Sequence, residues 1–210
     1  MTPPSAYGAG HRLARHFFLD KDVVRMARAL LGIYLVSEFE GRRTAGRIVE
    51  TEAYRGPDDK ASHAWGGRRT ARTEVMYRIG GTAYVYLCYG IHHLFNVVTG
   101  PENMPHAVLI RALEPAEGIE HMLRRRGLPH LQYRLTAGPG TLSQAMGIRT
   151  EHSGIDLTAP QSPIWLEARQ PPLPANQIVS STRIGVGYAE ECAKWPWRFY
   201  IKNNPWVSKK

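Results

Sequence analysis

Residues 47–54, Arg-Ile-Val-Glu-Thr-Glu-Ala-Tyr, place two acids inside a run that otherwise reads as a strand. The β-branched Ile48, Val49 and Thr51 favour extended backbone, and side chains on a strand alternate between its faces. Ile48, Glu50, Glu52 and Tyr54 are therefore expected on one face, and Val49, Thr51 and Ala53 on the other. Two carboxylates about 7 Å apart on one side of a strand are costly to bury without partners. That face is expected to floor a cleft, and the rest of the fold must leave room beside it.

A second strand is expected within residues 82–90, Thr-Ala-Tyr-Val-Tyr-Leu-Cys-Tyr-Gly. Tyr84, Tyr86 and Cys88 share a face, with Val85 and Leu87 opposite. Residues 95–98, Phe-Asn-Val-Val, resume a strand pattern, so the two runs form a hairpin with Tyr89 near its tip. A single exposed aromatic is common on protein surfaces. The sharper reading is a wedge inserted between the base steps of a nucleic acid. Residues 107–113 form a further strand, apolar except for Arg111. A guanidinium there needs an acid, Glu50 or Glu114, or water. It would serve as a structural ion pair, or orient a carboxylate or a water in the cleft.

Around these runs, Asp20 is the expected N-cap of a helix over 21–31 that Gly32 ends. Strands 33–39 and 42–54 pair across the turn at 40–41, and 60–81 is loop-like. Pro115 is expected to open a helix ending at Gly127, whose late arginines, Arg124, Arg125 and Arg126, complement the helix dipole. A short helix closes at Gly147. Strands follow at 164–168, 178–187 and 197–201, with a short helix near 189–194, and residues 203–206 plug the sheet end. The expected fold is α+β: a single domain with a mixed, mostly antiparallel curved sheet, short flanking helices and a protruding β-hairpin. Residues 1–16 are expected to be a flexible tail and 17–210 the domain.

The net charge of +9 arises from 27 basic against 18 acidic residues, 21 of the former being arginine. Arginine's planar fork suits phosphate oxygens, which points to a polyanion such as nucleic acid. Arg68, Arg69 and Arg72, near Trp65, fit a phosphate track or equally a solvated loop. Cys88 and Cys192 lie far apart, and His92 and His93 point to opposite strand faces, so a zinc or iron–sulfur site has little support. Phosphate-loop, GxSxG and zinc-deaminase motifs are missing from the sequence. With no signal-peptide pattern and no apolar run of spanning length, a cytosolic protein without membrane partners is expected.

A carboxylate, an arginine, several aromatics and a histidine beside a basic rim suit hydrolysis of an N-glycosidic bond. A carboxylate activates water and stabilises a cationic sugar, while aromatic walls stack a planar base. Two rivals stay open at this stage: a non-catalytic DNA-damage binder using the same hairpin, and a carbohydrate glycosidase using Glu50 and Glu52.

Residues 47–54, Gly56-Pro57, Ser62-His63, Tyr84-Val85-Tyr86 through Tyr89-Gly90, Asn96, 109–115, 183–187, Arg198-Phe199-Tyr200 and 205–208 together resemble the alkyladenine (3-methyladenine) DNA glycosylase family. The likeness runs from about Phe17 to Ser208. It implies a monofunctional base-excision repair enzyme that acts on alkylated or deaminated purines of the 3-methyladenine, hypoxanthine and ethenoadenine class. These would be flipped out of double-stranded DNA, and an abasic site left. It also implies that no metal is needed. Apart from the resemblance, a monomer without a cofactor, cytoplasmic and nucleoid-associated, is expected. Glu52 matches the general base, and Arg111 and the Ile184 carbonyl match groups that hold the attacking water. Tyr54 and His63 resemble one wall around the base and Tyr86 the other, with the His63 backbone N–H donating to the base edge. Asn96 resembles the residue that excludes guanine, and Tyr89 the intercalating tyrosine. His92 and His93 depart from the pattern just beyond the wedge.

Overall fold

The computed structural model of the protein describes residues 10–209. Among these residues, nine strands form one open sheet: β1 (His11–Arg12), β2 (Tyr34–Phe39), β3 (Arg42–Arg55), β4 (Ala83–Cys88), β5 (His92–Thr99), β6 (His106–Glu117), β7 (Ile164–Ala168), β8 (Ile178–Ser181) and β9 (Arg198–Ile201). Their order is β1-β7-β2-β3-β6-β5-β4, with β9 also on β3 and β8 on β9. Every pairing among the described strands is antiparallel. Helices α1 (Val23–Ala29), α2 (Ile119–Arg126) and α3 (Pro139–Met146) flank the sheet. The α+β class and the hairpin thus agree with the sequence reading.

The 14-residue β3 is the spine. One edge takes β2 along Arg42–Arg47 and β9 along Glu50–Glu52, while the other takes β6. The core packs Val49 and Ala53 of β3 with Val108, Ile110 and Leu113 of β6, beneath Met26 of α1 and Leu142 of α3. Of the three register shifts that interrupt the β3–β6 ladder, two leave Val49 and Arg111 without opposite residues. The first of these two corrects the expected face. Ile48 and Val49 are both buried in the core, because a bulge breaks the two-residue alternation between Ile48 and Glu50. Beyond the bulge the pattern returns: the Thr51 hydroxyl donates to the Ala27 carbonyl at 2.8 Å on the helix side, which leaves Glu50, Glu52 and Tyr54 on the opposite face.

Other boundaries move for local reasons. The N-cap of α1 is Asp22, whose carboxylate accepts from the Val24 and Arg25 N–H groups at 2.9 and 3.1 Å, while Asp20 pairs with the Arg25 guanidinium. Pro115 opens no helix. It continues β6 opposite Gly46, beside a register shift, where a missing N–H is tolerated. The chain turns instead at Gly118 (φ 64°), where an added Cβ would stand 2.2 Å from the Arg43 carbonyl oxygen. The strand expected over 178–187 stops at Ser181, and residues 187–194 form irregular 3-10 turns.

The tail expected over residues 1–16 is corrected where the structure describes it. His11–Arg12 pairs with β7, and Arg15 is salt-bridged to Asp156. Residues 1–9 lie outside the described residues. At the other end, Trp206 is buried in the main core and Asn204 donates to Glu114, so the 203–206 segment packs as expected.

Candidate active site

A cavity of about 390 Å³ opens between the β4–β5 hairpin, the ends of β3 and β6, and the loop at 184–188. Tyr54, His63, Arg72, Tyr86, Asn96, Arg111 and Ile184 line it. Glu52 itself has no exposed surface. It lies one layer beneath the cavity, held by three groups that do line it. Its Oε2 accepts from the Tyr54 hydroxyl at 2.8 Å and from Arg111 Nη1 at 3.2 Å. Its Oε1 accepts from the Ile184 backbone N–H at 2.7 Å. The group of Ile184 engaged here is the N–H, whereas the resemblance points to its carbonyl.

The expectation that both acids floor a cleft is met by neither directly: Glu52 lies just beneath the floor, and Glu50 lies deeper. Glu50 is fully buried, and its oxygens are spent on Arg111 Nε (3.0 Å), Arg198 Nε (2.7 Å), the Ser208 hydroxyl (2.9 Å) and the Ser208 N–H (2.6 Å). The carboxylate pair required by a carbohydrate glycosidase is therefore not presented to a substrate. Of the two acids foreseen for Arg111, Glu50 is the partner, while Glu114 faces Arg47 at 3.7 Å. Burial opposes the charge on Arg111, but Glu52 and Glu50 outweigh it and raise its pKa. Burial, and then the Glu52 charge, push the Tyr54 phenol well above its ordinary value, so it stays a donor.

Aromatic rings form the walls. His63 stands edge-on to Tyr86, with centroids 4.6 Å apart, and its Nδ1 meets the Tyr84 hydroxyl at 2.8 Å. His63 thus packs against the ring that the resemblance sets across the base from it. Burial, with Arg72 nearby, lowers the His63 pKa to about 4, leaving it neutral at physiological pH. Both amide hydrogens of Asn96 are held by carbonyls, Tyr84 at 3.1 Å and Leu94 at 3.2 Å. Two acceptors on that side fix the amide nitrogen there and leave Oδ1 as the free end.

Two arginines, Arg72 in the cavity wall and Arg183 buried behind Tyr54, are not given these places by the sequence reading. Arg72 donates to His63 Nε2 at 3.1 Å and lies over the Tyr86 ring at 5.0 Å. Arg183 covers Tyr54 at 4.8 Å, anchored on Asp59 and on the Ala53 and Cys192 carbonyls. That anchorage draws the chain off the sheet after Ser181 and brings Ile184 to Glu52. The basic loop itself splits: Arg69 pairs with Glu74 at 2.7 Å, whereas Arg72 turns to the cavity. An arginine among glycines is the only signal that marked Arg72, and it does not separate it from its neighbours.

Tyr89 is 92% exposed at the hairpin tip, flanked by the exposed Leu87 and Ile91. Tyr89 and Gly90 both take left-handed backbone to make the turn. His92 packs against Gly140 of α3, and His93 Nδ1 accepts from the Thr150 N–H at 3.2 Å, so both tie down the hairpin root. Among the described residues, no group of three or more His, Cys, Asp or Glu could hold a metal ion.

The family model described as methylpurine-DNA glycosylase matches residues 17–205. Among curated proteins, one from Bacillus cytotoxicus named "Putative 3-methyladenine DNA glycosylase" is 49% identical over 91% of this chain and 97% of its own. Proteins of the same name from Chlamydia pneumoniae and Bacillus cereus are 51% and 47% identical, over 90% and 92% of this chain and 94% and 97% of theirs. With a match of that length and a buried acid–arginine pair set beneath an aromatic cavity, the chain belongs to the methylpurine-DNA glycosylase family.

Proposed function

We propose that this protein hydrolyses the N-glycosidic bond between deoxyribose and alkylated or deaminated purines in double-stranded DNA, leaving an abasic site. The observation that carries this reading is Glu52, paired with Arg111 directly under a cavity walled by Tyr54, Tyr86 and His63. A cavity of this size suits one small planar ligand, and the bonded base is reached only by turning it out of the duplex. Tyr89, on the exposed tip, would fill the vacated place in the stack.

In this mechanism Glu52 is the general base and takes a proton from water as the base departs. Its charge also stabilises the positive sugar that develops. Arg111 and the Ile184 carbonyl seat the water. All three groups that cover Glu52 line the cavity. Displacing the Tyr54 hydroxyl alone frees a carboxylate oxygen beside Arg111. Tyr54 and His63 line one side of the base and Tyr86 the other, which requires the His63 ring to swing away from the Tyr86 ring it packs against; the His63 backbone N–H donates to the base edge, and Asn96 Oδ1 rejects the guanine 2-amino group by close approach. Adenine-type lesions, 3-methyladenine, hypoxanthine and ethenoadenine, are the substrates. The protein works as a monomer in the cytoplasm, at the nucleoid.

The test is a panel of duplexes, each with one lesion, under single-turnover conditions with free base quantified. Release from hypoxanthine and N-methylated purine duplexes, with none from undamaged DNA, is expected. Binding to those duplexes without release of any base would support a damage-flagging protein and overturn the reading.

A further inference from the structure

Beneath Glu52 lies a further layer of buried charge, Glu50 and Arg198, that does not line the cavity. Glu50 is fully buried, and of the groups bonded to it only Arg111 lines the cavity, so unlike Glu52 it reaches a substrate only through Arg111. Four hydrogen bonds converge on it, from Arg111, Arg198 and twice from Ser208. Arg198 belongs to β9 and stands opposite Glu52 in the β3–β9 ladder. Its remaining nitrogens donate to the Ser181 hydroxyl at 3.1 Å and to the Lys209 carbonyl. Ser208 follows Trp206 and Val207, both buried, which hold the segment against the sheet.

Arg111 needs this support because it sits at a bulge with no opposite residue in the β3–β6 ladder. The ladder is locally interrupted there. Its guanidinium is a rigid plane, so the bond from Nε to Glu50 sets where Nη1 meets Glu52. Two carboxylates and two guanidiniums balance in this cluster, and removing the Glu50 charge leaves two cations against one anion.

We propose that Glu50, Arg198 and Ser208 are positioning residues for the reaction: they aim Arg111 at Glu52, and the segment 206–208 closes the arrangement. The inference rests on the catalytic reading of Glu52 given above. Four variants test it by single-turnover base release, affinity for damaged duplex, and the ¹⁵N–¹H signal of the Arg111 Nε–H. Glu50→Gln lowers the limiting rate by roughly 10–100-fold, as a small misplacement of a reacting group does, and leaves affinity close to wild type. Ser208→Thr keeps both donors and the wild-type rate. Ser208→Ala loses the hydroxyl and slows release, and Ser208→Pro loses the N–H as well and slows it further. The Arg111 signal shifts in the same order.

If folded Glu50→Gln and Ser208→Pro proteins release base as fast as wild type, the cluster is structural only and the proposal fails. Should Glu50→Gln not fold, the serine series decides alone. Were the wild type to release no base from any duplex, the catalytic reading would fall. The Arg111 signal would then still report the coupling: unchanged across the Ser208 variants, it would overturn the proposed aiming.

Discussion

Replacing Glu52 with glutamine separates the chemistry of the site from its architecture. Both oxygens of Glu52 accept from donors: Ile184 N–H on one, Tyr54 hydroxyl and Arg111 Nη1 on the other. An amide has one acceptor, so Glu52→Gln must set its NH₂ against some of these donors. Keeping the amide oxygen on Ile184 is the milder choice, since the tyrosine hydroxyl can turn round and accept. Arg111 then loses one acceptor but keeps Glu50 at 3.0 Å. The donor left without a partner is on a charged guanidinium, and the cluster keeps two cations against one anion, so the cost approaches the ~3–5 kcal/mol of breaking a buried pair. For a domain of this size that lowers Tm by roughly 6–20 °C. Loss of a general base slows base release about 10²–10⁴-fold. Single-turnover assays on a lesion duplex, run well below the melting transition, read the rate, and a gel shift reads binding. A folded Glu52→Gln protein that binds duplex and releases base near the wild-type rate would refute the role of Glu52.

Three other outcomes follow from the same geometry. Tyr89→Ser leaves stability within about 0.5 kcal/mol, because the side chain packs on nothing, but slows turnover at limiting enzyme; wild-type turnover would remove the wedge. Asn96→Ala raises release of guanine lesions relative to hypoxanthine, and an unchanged ratio counts against exclusion by Asn96. His63 has its folded pKa lowered to about 4 from 6.5, by burial and then by Arg72. The neutral ring is the form the fold accepts, so its contribution is intact above pH 6.5 and is lost as pH falls from 6.5 toward 4. The difference of 2.5 units amounts to at most about 3 kcal/mol. A His63→Gln protein should lack that part of the acid destabilisation, and an NMR titration of His63 with a midpoint near 6.5 would contradict the assignment.

The parts of the fold that were legible are those where side-chain chemistry demanded a solution. Arg111 in an apolar strand required an acid, and Glu50 supplies it. Alternating tyrosines with a following Gly90 marked the hairpin and left Tyr89 at its tip. What escaped reading depends on pairing at a distance. A bulge adds a residue without altering composition, so Ile48, expected beside the acids, joins the core instead. Asp20 and Asp22 are both able caps, and only the path of the chain chooses between them. Pro115 is as compatible with a sheet irregularity as with a helix start. Arg72, Arg183 and Ser208 acquire their places from Tyr86, Asp59 and Glu50, and no local pattern names those partners.

The bond from Ser208 to Glu50 spans 158 positions of the chain. At about 5–20 residues per second, a ribosome needs roughly 8–30 s to travel from one to the other. For that interval the nascent sheet holds an acid whose last donors have yet to be made, and water must stand in for them. Shortened products that stop before Ser208 would carry the aromatic walls and the wedge, yet lack the clasp that squares the arginine to its acid.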